Sequence, residues 1–162
     1  MDSKFSEFSY GYALTEALAR QLGPLKGAPI FPSLYNEGQV GGGHDLELPT
    51  RGTPLFLQFK VSHYLWRTNA LEWDYFGGPY YRMYLRPLRH SDQHILLLDL
   101  ENAGKRVYYA VPRFHRVDEL NDAYQTGNVV GRSAFIRPMS IGMLDDEQHY
   151  VVFERDSRVG YL

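Results

Sequence analysis

The chain of 162 residues contains no cysteine, so disulfides and thiolate metal sites are excluded and a reducing, cytoplasmic setting is expected. It also lacks any apolar run near the roughly 18 residues needed to span a bilayer, and no membrane association is expected. The N-terminal stretch carries Asp2 and Glu7 where a secretory signal would be basic and then apolar, so no signal peptide is expected. Strong charge of either sign is missing too: the net charge of −2 argues against a protein coated in positive charge for nucleic-acid binding. Neither a Gly-x-Ser-x-Gly elbow nor a phosphate-binding glycine loop ending in Lys-Ser/Thr is present, which disfavours serine-hydrolase and nucleotide-hydrolase chemistry.

What remains is a composition that can build one core, with 44% hydrophobic and 22% charged residues. Charge is uneven along the chain. Between Arg82 and Arg116 seven basic residues (Arg82, Arg86, Arg89, Lys105, Arg106, Arg113, Arg116) face three acidic ones, which fits either a basic face or solvated element ends. Aromatic residues make up 15% and gather between Tyr64 and Tyr84, where they suit a core or a partner interface better than base stacking.

Periodicity predicts a helix over residues 5–22, with Phe8, Leu14, Leu18 and Leu22 on its inward face and a stop at Gly23-Pro24. Residues 29–35 are short, apolar and bounded by prolines, and predict an edge or irregular strand. The run Gly41-Gly42-Gly43 permits a bend or a close approach before a strand at 44–48, and a second, strongly apolar strand follows at 55–61. An aromatic-rich insertion spans about 62–90 and ends in a strand at 80–85. A helix then starts near Ser91 and stops at Gly104, a strand follows at 106–111, a short helix at 117–124, and strands at 133–137 and 149–153. The fold class expected is a single α/β domain with a central mixed sheet flanked by helices, in αβββαβ order, with a C-terminal β extension.

Chemistry concentrates between Asp45 and Lys60. Gln58 and Lys60 are two apart on one strand and therefore share a face, and a turn can bring Asp45 beside them. A carboxylate and an amide oxygen suit a hard divalent cation, and an ammonium can steady charge developing on a phosphoryl group. The same spacing also fits a solvent-exposed face of an antiparallel sheet, which would make Asp45 an ordinary turn acid.

Gly43-His44-Asp45 followed by Leu57-Gln58-Phe59-Lys60 resembles the PD-(D/E)XK nuclease superfamily in its Gln-x-Lys variant, over roughly residues 7–114. The proline before the aspartate is replaced here by glycine and His44, and the segment from Lys60 to the next helix exceeds a minimal core. The resemblance implies a restriction-endonuclease-like core and Mg²⁺-dependent (or Mn²⁺-dependent) cleavage of DNA, an activity serving defence or repair. Asp45 would be a metal ligand, Gln58 the second ligand and Lys60 the catalytic lysine. A glutamate from the first helix often joins such sites, and here Glu7 is preferred to Glu16 because it falls beside Leu14 and Leu18 on the helical wheel. Glu47 is a spare acid on the strand of Asp45. Arg82, Arg86 and Arg113 are the expected nucleic-acid contacts, and a homodimer or partner subunit would extend the grip of so small a domain. His90 and His94 have spacing usable by zinc but lack further ligands. The competing expectation is a non-catalytic module of the same fold whose aromatic insertion docks a protein partner.

Overall fold

The computed structural model describes residues 1–33, 39, 41–156, 160 and 161. Its first helix, α1 (Glu7–Gln21), begins where Ser6 accepts a hydrogen bond from the Ser9 amide (3.1 Å) and ends before Gly23, whose φ of +74° turns the chain away. Tyr10, Ala13, Leu14 and Leu18 form its buried face. Phe8 and Leu22, expected on that face, are exposed, because the burial stripe runs through Tyr10 and Ala13 instead.

Two four-stranded sheets follow. The first joins β1 (Leu46–Leu48), β2 (Leu55–Phe59), β5 (Arg106–Pro112) and β6 (Ser133–Ile136), in that spatial order. β1 and β6 are antiparallel to their neighbours, while β2 and β5 run parallel. Beyond β1, Ile30 makes a single antiparallel bridge to Glu47, so the edge strand expected at 29–35 is reduced to one contact; Tyr35 lies outside the described residues.

A second sheet stands where one central mixed sheet was expected. β3 (His63–Leu65) and β4 (Tyr80–Leu85), with the short α2 (Trp73–Phe76) between them, pair with β7 (His149–Phe153) and β8 (Gly160–Tyr161), all antiparallel. The C-terminal extension thus completes a sheet that the insertion begins. Between the sheets in chain order come α3 (Gln93–Asn102), then α4 (Val117–Gln125) after β5, and α5 (Pro138–Ile141) after β6. Asp92 occupies the cap position of α3, one residue beyond the expected Ser91, whose hydroxyl nonetheless accepts from the Gln93 amide (3.2 Å).

Every residue of β2 is buried, which is why its sequence reads as a nearly unbroken apolar run. Leu55, Leu57 and Phe59 pack towards α1 and α4 with Tyr10, Leu14 and Ala123, whereas Phe56 packs with Val107, Tyr109, Leu97, Met83 and Phe153 under α3 and the second sheet. The first sheet is therefore sandwiched. Among the described residues no helix is long and apolar enough to cross a membrane.

Candidate active site

The site forms where β1 and β2 meet at the end of β2. The register pairing Leu46 with Leu57 sets Asp45 opposite Gln58. The Asp45 amide donates to the Leu57 carbonyl (2.9 Å), and Asp45 Oδ2 accepts from the Phe59 amide (2.7 Å) and from Gln58 Nε2 (2.6 Å). The glycine run sets this geometry. Gly43 has φ +82°, and a Cβ there would stand 2.9 Å from the Leu96 Cβ and 3.0 Å from the Gln93 carbonyl, so the loop before Asp45 lies tight against the first turns of α3.

Gln58 is 2% exposed, which removes the solvent-facing alternative for this strand face. Its Nε2 also donates to the Phe59 carbonyl (3.1 Å), while Oε1 is buried without a hydrogen-bond partner among the described residues. Such a group carries a desolvation cost, and a buried amide oxygen without a donor calls for a functional or ionic explanation.

Lys60 follows directly after β2, half-buried, with its amide donating to the Ala110 carbonyl (3.0 Å) on the parallel neighbour β5. Burial pushes its ammonium below the ordinary lysine range. Glu7 and then Asp45 oppose that shift through their negative charge, and Arg86 adds to it. Glu7, in the first turn of α1, accepts weakly from the Val61 amide (3.4 Å). Its position depends on Gly11, one helical turn on, where a Cβ would meet the buried Phe59 ring at 2.5 Å, so α1 rests directly on β2. Glu7 and Asp45 line one cleft of about 290 Å³ together with Phe8, Phe31, Pro32 and Phe59.

The structure thus brings Asp45, Gln58, Lys60 and Glu7 to one place. Glu16 is elsewhere, bonded to Arg20 and to the Tyr124 hydroxyl. Glu47 sits on β1 with its backbone paired to Ile30. Of the expected nucleic-acid contacts, Arg86 alone acts on Lys60, from an exposed position after β4. Arg82 lies over the Tyr150 ring (4.2 Å), and Arg113 donates to the Gly131 (2.9 Å) and Ser133 (3.2 Å) carbonyls, so both serve the packing of strands. Arg89 and Arg116 are paired with Asp146 and Asp118, which breaks up the basic face that the sequence offered. His94 is buried between the Tyr109 hydroxyl (2.9 Å) and the Gly142 carbonyl (2.8 Å), while His90 contacts Arg89, so the two histidines do not form a ligand pair.

Among the described residues no three His, Asp or Glu side chains are grouped to hold a metal ion. Instead, two carboxylates, Glu7 and Asp45, line the cleft, and the buried Gln58 amide bonds Asp45 from behind it. Oxygen donors of this kind suit Mg²⁺ or Mn²⁺, and the partnerless Gln58 Oε1 supplies the amide oxygen such a set requires. Asp45, Glu7 and the Gln58 amide are the groups that would offer oxygens to such an ion, which would supply Lewis acidity there. The residues fit the group.

Comparison with protein-family models, with curated proteins and with solved structures finds no match to this chain.

Proposed function

We propose that this protein is a metal-dependent nuclease with a restriction-endonuclease-like core, hydrolysing phosphodiester bonds in DNA. The observation that carries the reading is the convergence of Asp45, Gln58, Lys60 and Glu7 at the end of a strand that is otherwise apolar and buried. The chain order lends partial support: α1 precedes β1 and β2, and β5 lies parallel to β2 after a crossover that contains β3, α2, β4 and α3.

In this reading Asp45, Gln58 Oε1 and Glu7 hold a divalent cation. When bound, the ion supplies Lewis acidity and charge neutralisation at the scissile phosphate. Lys60 brings a cation with few competing waters, so its attraction for negative charge growing on the phosphoryl oxygens exceeds that of an exposed lysine. Its lowered proton affinity also suits it to exchange hydrogen bonds with the attacking water. Arg86, exposed beside it, adds positive potential for an incoming phosphate.

The test is incubation with plasmid and single-stranded DNA in Mg²⁺, Mn²⁺ or EDTA, alongside Asp45→Ala and Lys60→Ala. Cutting that needs metal and is lost in both variants is the expected result. Undiminished cutting in either variant would refute the assignment.

One observation favours a second reading, a non-catalytic module that docks a protein. Trp66, Leu71 and Tyr75 of the insertion are exposed, and Tyr75 packs edge-on against Tyr161 of β8 at 5.0 Å. An exposed patch of this kind is common at interfaces. Absence of any cutting, together with a protein partner lost on Tyr75→Ala, would select it.

A further inference from the structure

The cleft beside Asp45 is flanked by two aromatic rings that do not serve the core. Phe8 is 77% exposed and Phe31 is 51% exposed, yet both line the same cavity as Glu7, Asp45 and Phe59. Neither ring stands on a loose support. Phe8 follows Glu7 in the first turn of α1, fixed by the Ser6 cap. Phe31 follows Ile30, whose amide and carbonyl are both bonded to Glu47 (2.9 and 2.8 Å). Two rings borne on anchored backbone thus flank the acidic centre from separate segments.

We infer that Phe8 and Phe31 form a stacking platform for unpaired bases, so that the substrate of this site is single-stranded DNA or the single-stranded part of a junction. The inference rests on the nuclease reading for the identity of the ligand. Bases inside a duplex already stack on one another and offer no free face, whereas an unpaired base next to the scissile phosphate can lie on an aromatic ring whatever its sequence. Charge points the same way. A duplex is gripped through its phosphates by many cations, but this chain carries a net charge of −2, and Arg82, Arg89, Arg113 and Arg116 are engaged within the fold. The described lining of the cleft is acidic and aromatic, with Lys60 acting on Glu7 and Asp45 from beside it, so ring contacts favour an unpaired base over the phosphates of a duplex.

The test uses fluorescence anisotropy of a labelled oligothymidine and of a blunt duplex, in EDTA and in Ca²⁺, with cleavage of both DNAs in Mg²⁺ followed separately. The single strand should bind more tightly than the duplex. Phe8→Ala with Phe31→Ala should weaken its binding by about tenfold or more, as expected for the loss of a stacked base, while Phe8→Tyr with Phe31→Tyr keeps it. Both positions are exposed, so an unchanged thermal transition will show that the fold is retained. Equal or tighter binding of duplex, no DNA binding at all, or single-strand binding that ignores both rings would overturn the platform. Ring-independent cutting would overturn it and leave the nuclease reading standing. Ring-dependent binding by a protein that cuts neither DNA would uphold the platform and sink the nuclease reading.

Discussion

Gln58 donates Nε2 to Asp45 Oδ2 at 2.6 Å across two antiparallel strands, and the other half of the same amide, Oε1, is buried with no partner. The carboxylate is therefore satisfied, whereas the amide oxygen is not satisfied by any described residue. Replacing the amide by a second acid tests what the pair is for. Gln58→Glu places two carboxylates in contact in a buried setting, and the metal-free protein should lose about 1–3 kcal/mol of stability at neutral pH. If the pair holds a cation, Mg²⁺ or Mn²⁺ should restore the Tm of this variant more than it raises that of the native protein. Thermal unfolding in EDTA and in each metal measures both. A Tm equally low with and without metal would show that the pair is structural.

The close seat of α1 on β2 makes a second prediction. At Gly11 an added Cβ would lie 2.5 Å from the Phe59 ring, which is itself 4% exposed and has nowhere to go. Gly11→Ala gains about 1 kcal/mol of helix propensity, against about 1–3 kcal/mol for overpacking the core. The balance should be a lower Tm by chemical or thermal unfolding. Because Glu7 lies one turn before Gly11, the displaced helix should also reduce cleavage more than the stability loss explains. Gly43→Ala meets both a positive φ and the backbone of α3, and should be the more damaging of the two.

These two glycines show how unevenly the sequence discloses the site. Asp45, Gln58 and Lys60 were legible because a polar pair two residues apart is anomalous in an apolar strand, and the strand itself was legible from its continuous hydrophobicity. That Gln58 would be buried was not, since a period of two says which side chains share a face and nothing about what covers that face. The side of β2 that holds Phe56 packs with Leu97, Met83 and Phe153, which lie far along the chain and reach it through tertiary packing alone. Phe8 was misplaced for a different reason. The buried stripe of α1 is centred on Tyr10, Leu14 and Leu18, and at 100° per residue Phe8 falls outside it. Its place beside Asp45 had no signal in the sequence.

Lys60 should trade stability against activity. Its proton affinity is lowered chiefly by burial, so the charged form is held at a cost to the fold. Between the lowered folded value and the ordinary lysine value near 10.4, the unfolded chain binds more protons than the folded one, and stability rises with pH across that window. Lys60→Met removes the charge and keeps the bulk. It should raise the Tm at neutral pH, with the gain shrinking as pH climbs through that window, while cleavage falls by about a hundredfold or more. A variant that loses both stability and cleavage would mean that the attraction of Glu7 and Asp45 outweighs burial.

Acid should weaken the fold through His94. Its ring is buried between the Tyr109 hydroxyl and the Gly142 carbonyl, and burial lowers its proton affinity, with His149 adding to the effect and the Gly142 bond opposing it. The carbonyl needs a donor, so Nε2 carries the proton and Nδ1 accepts from Tyr109. Burial disfavours the charged ring, so the second proton binds less readily in the folded state. As pH falls through about 6.5 the unfolded chain takes up that proton and the folded chain does not, so stability present above that pH is lost below it. His115, whose proton affinity is likewise lowered first by burial, shifts the balance in the same direction. Melting temperatures between pH 8 and pH 5 should therefore decline most steeply below pH 6.5. His94→Asn should start from a lower Tm and show a shallower decline, because one of the protons that drives unfolding has been removed. An equally steep slope in that variant would assign the acid sensitivity to His115 and to the carboxylates.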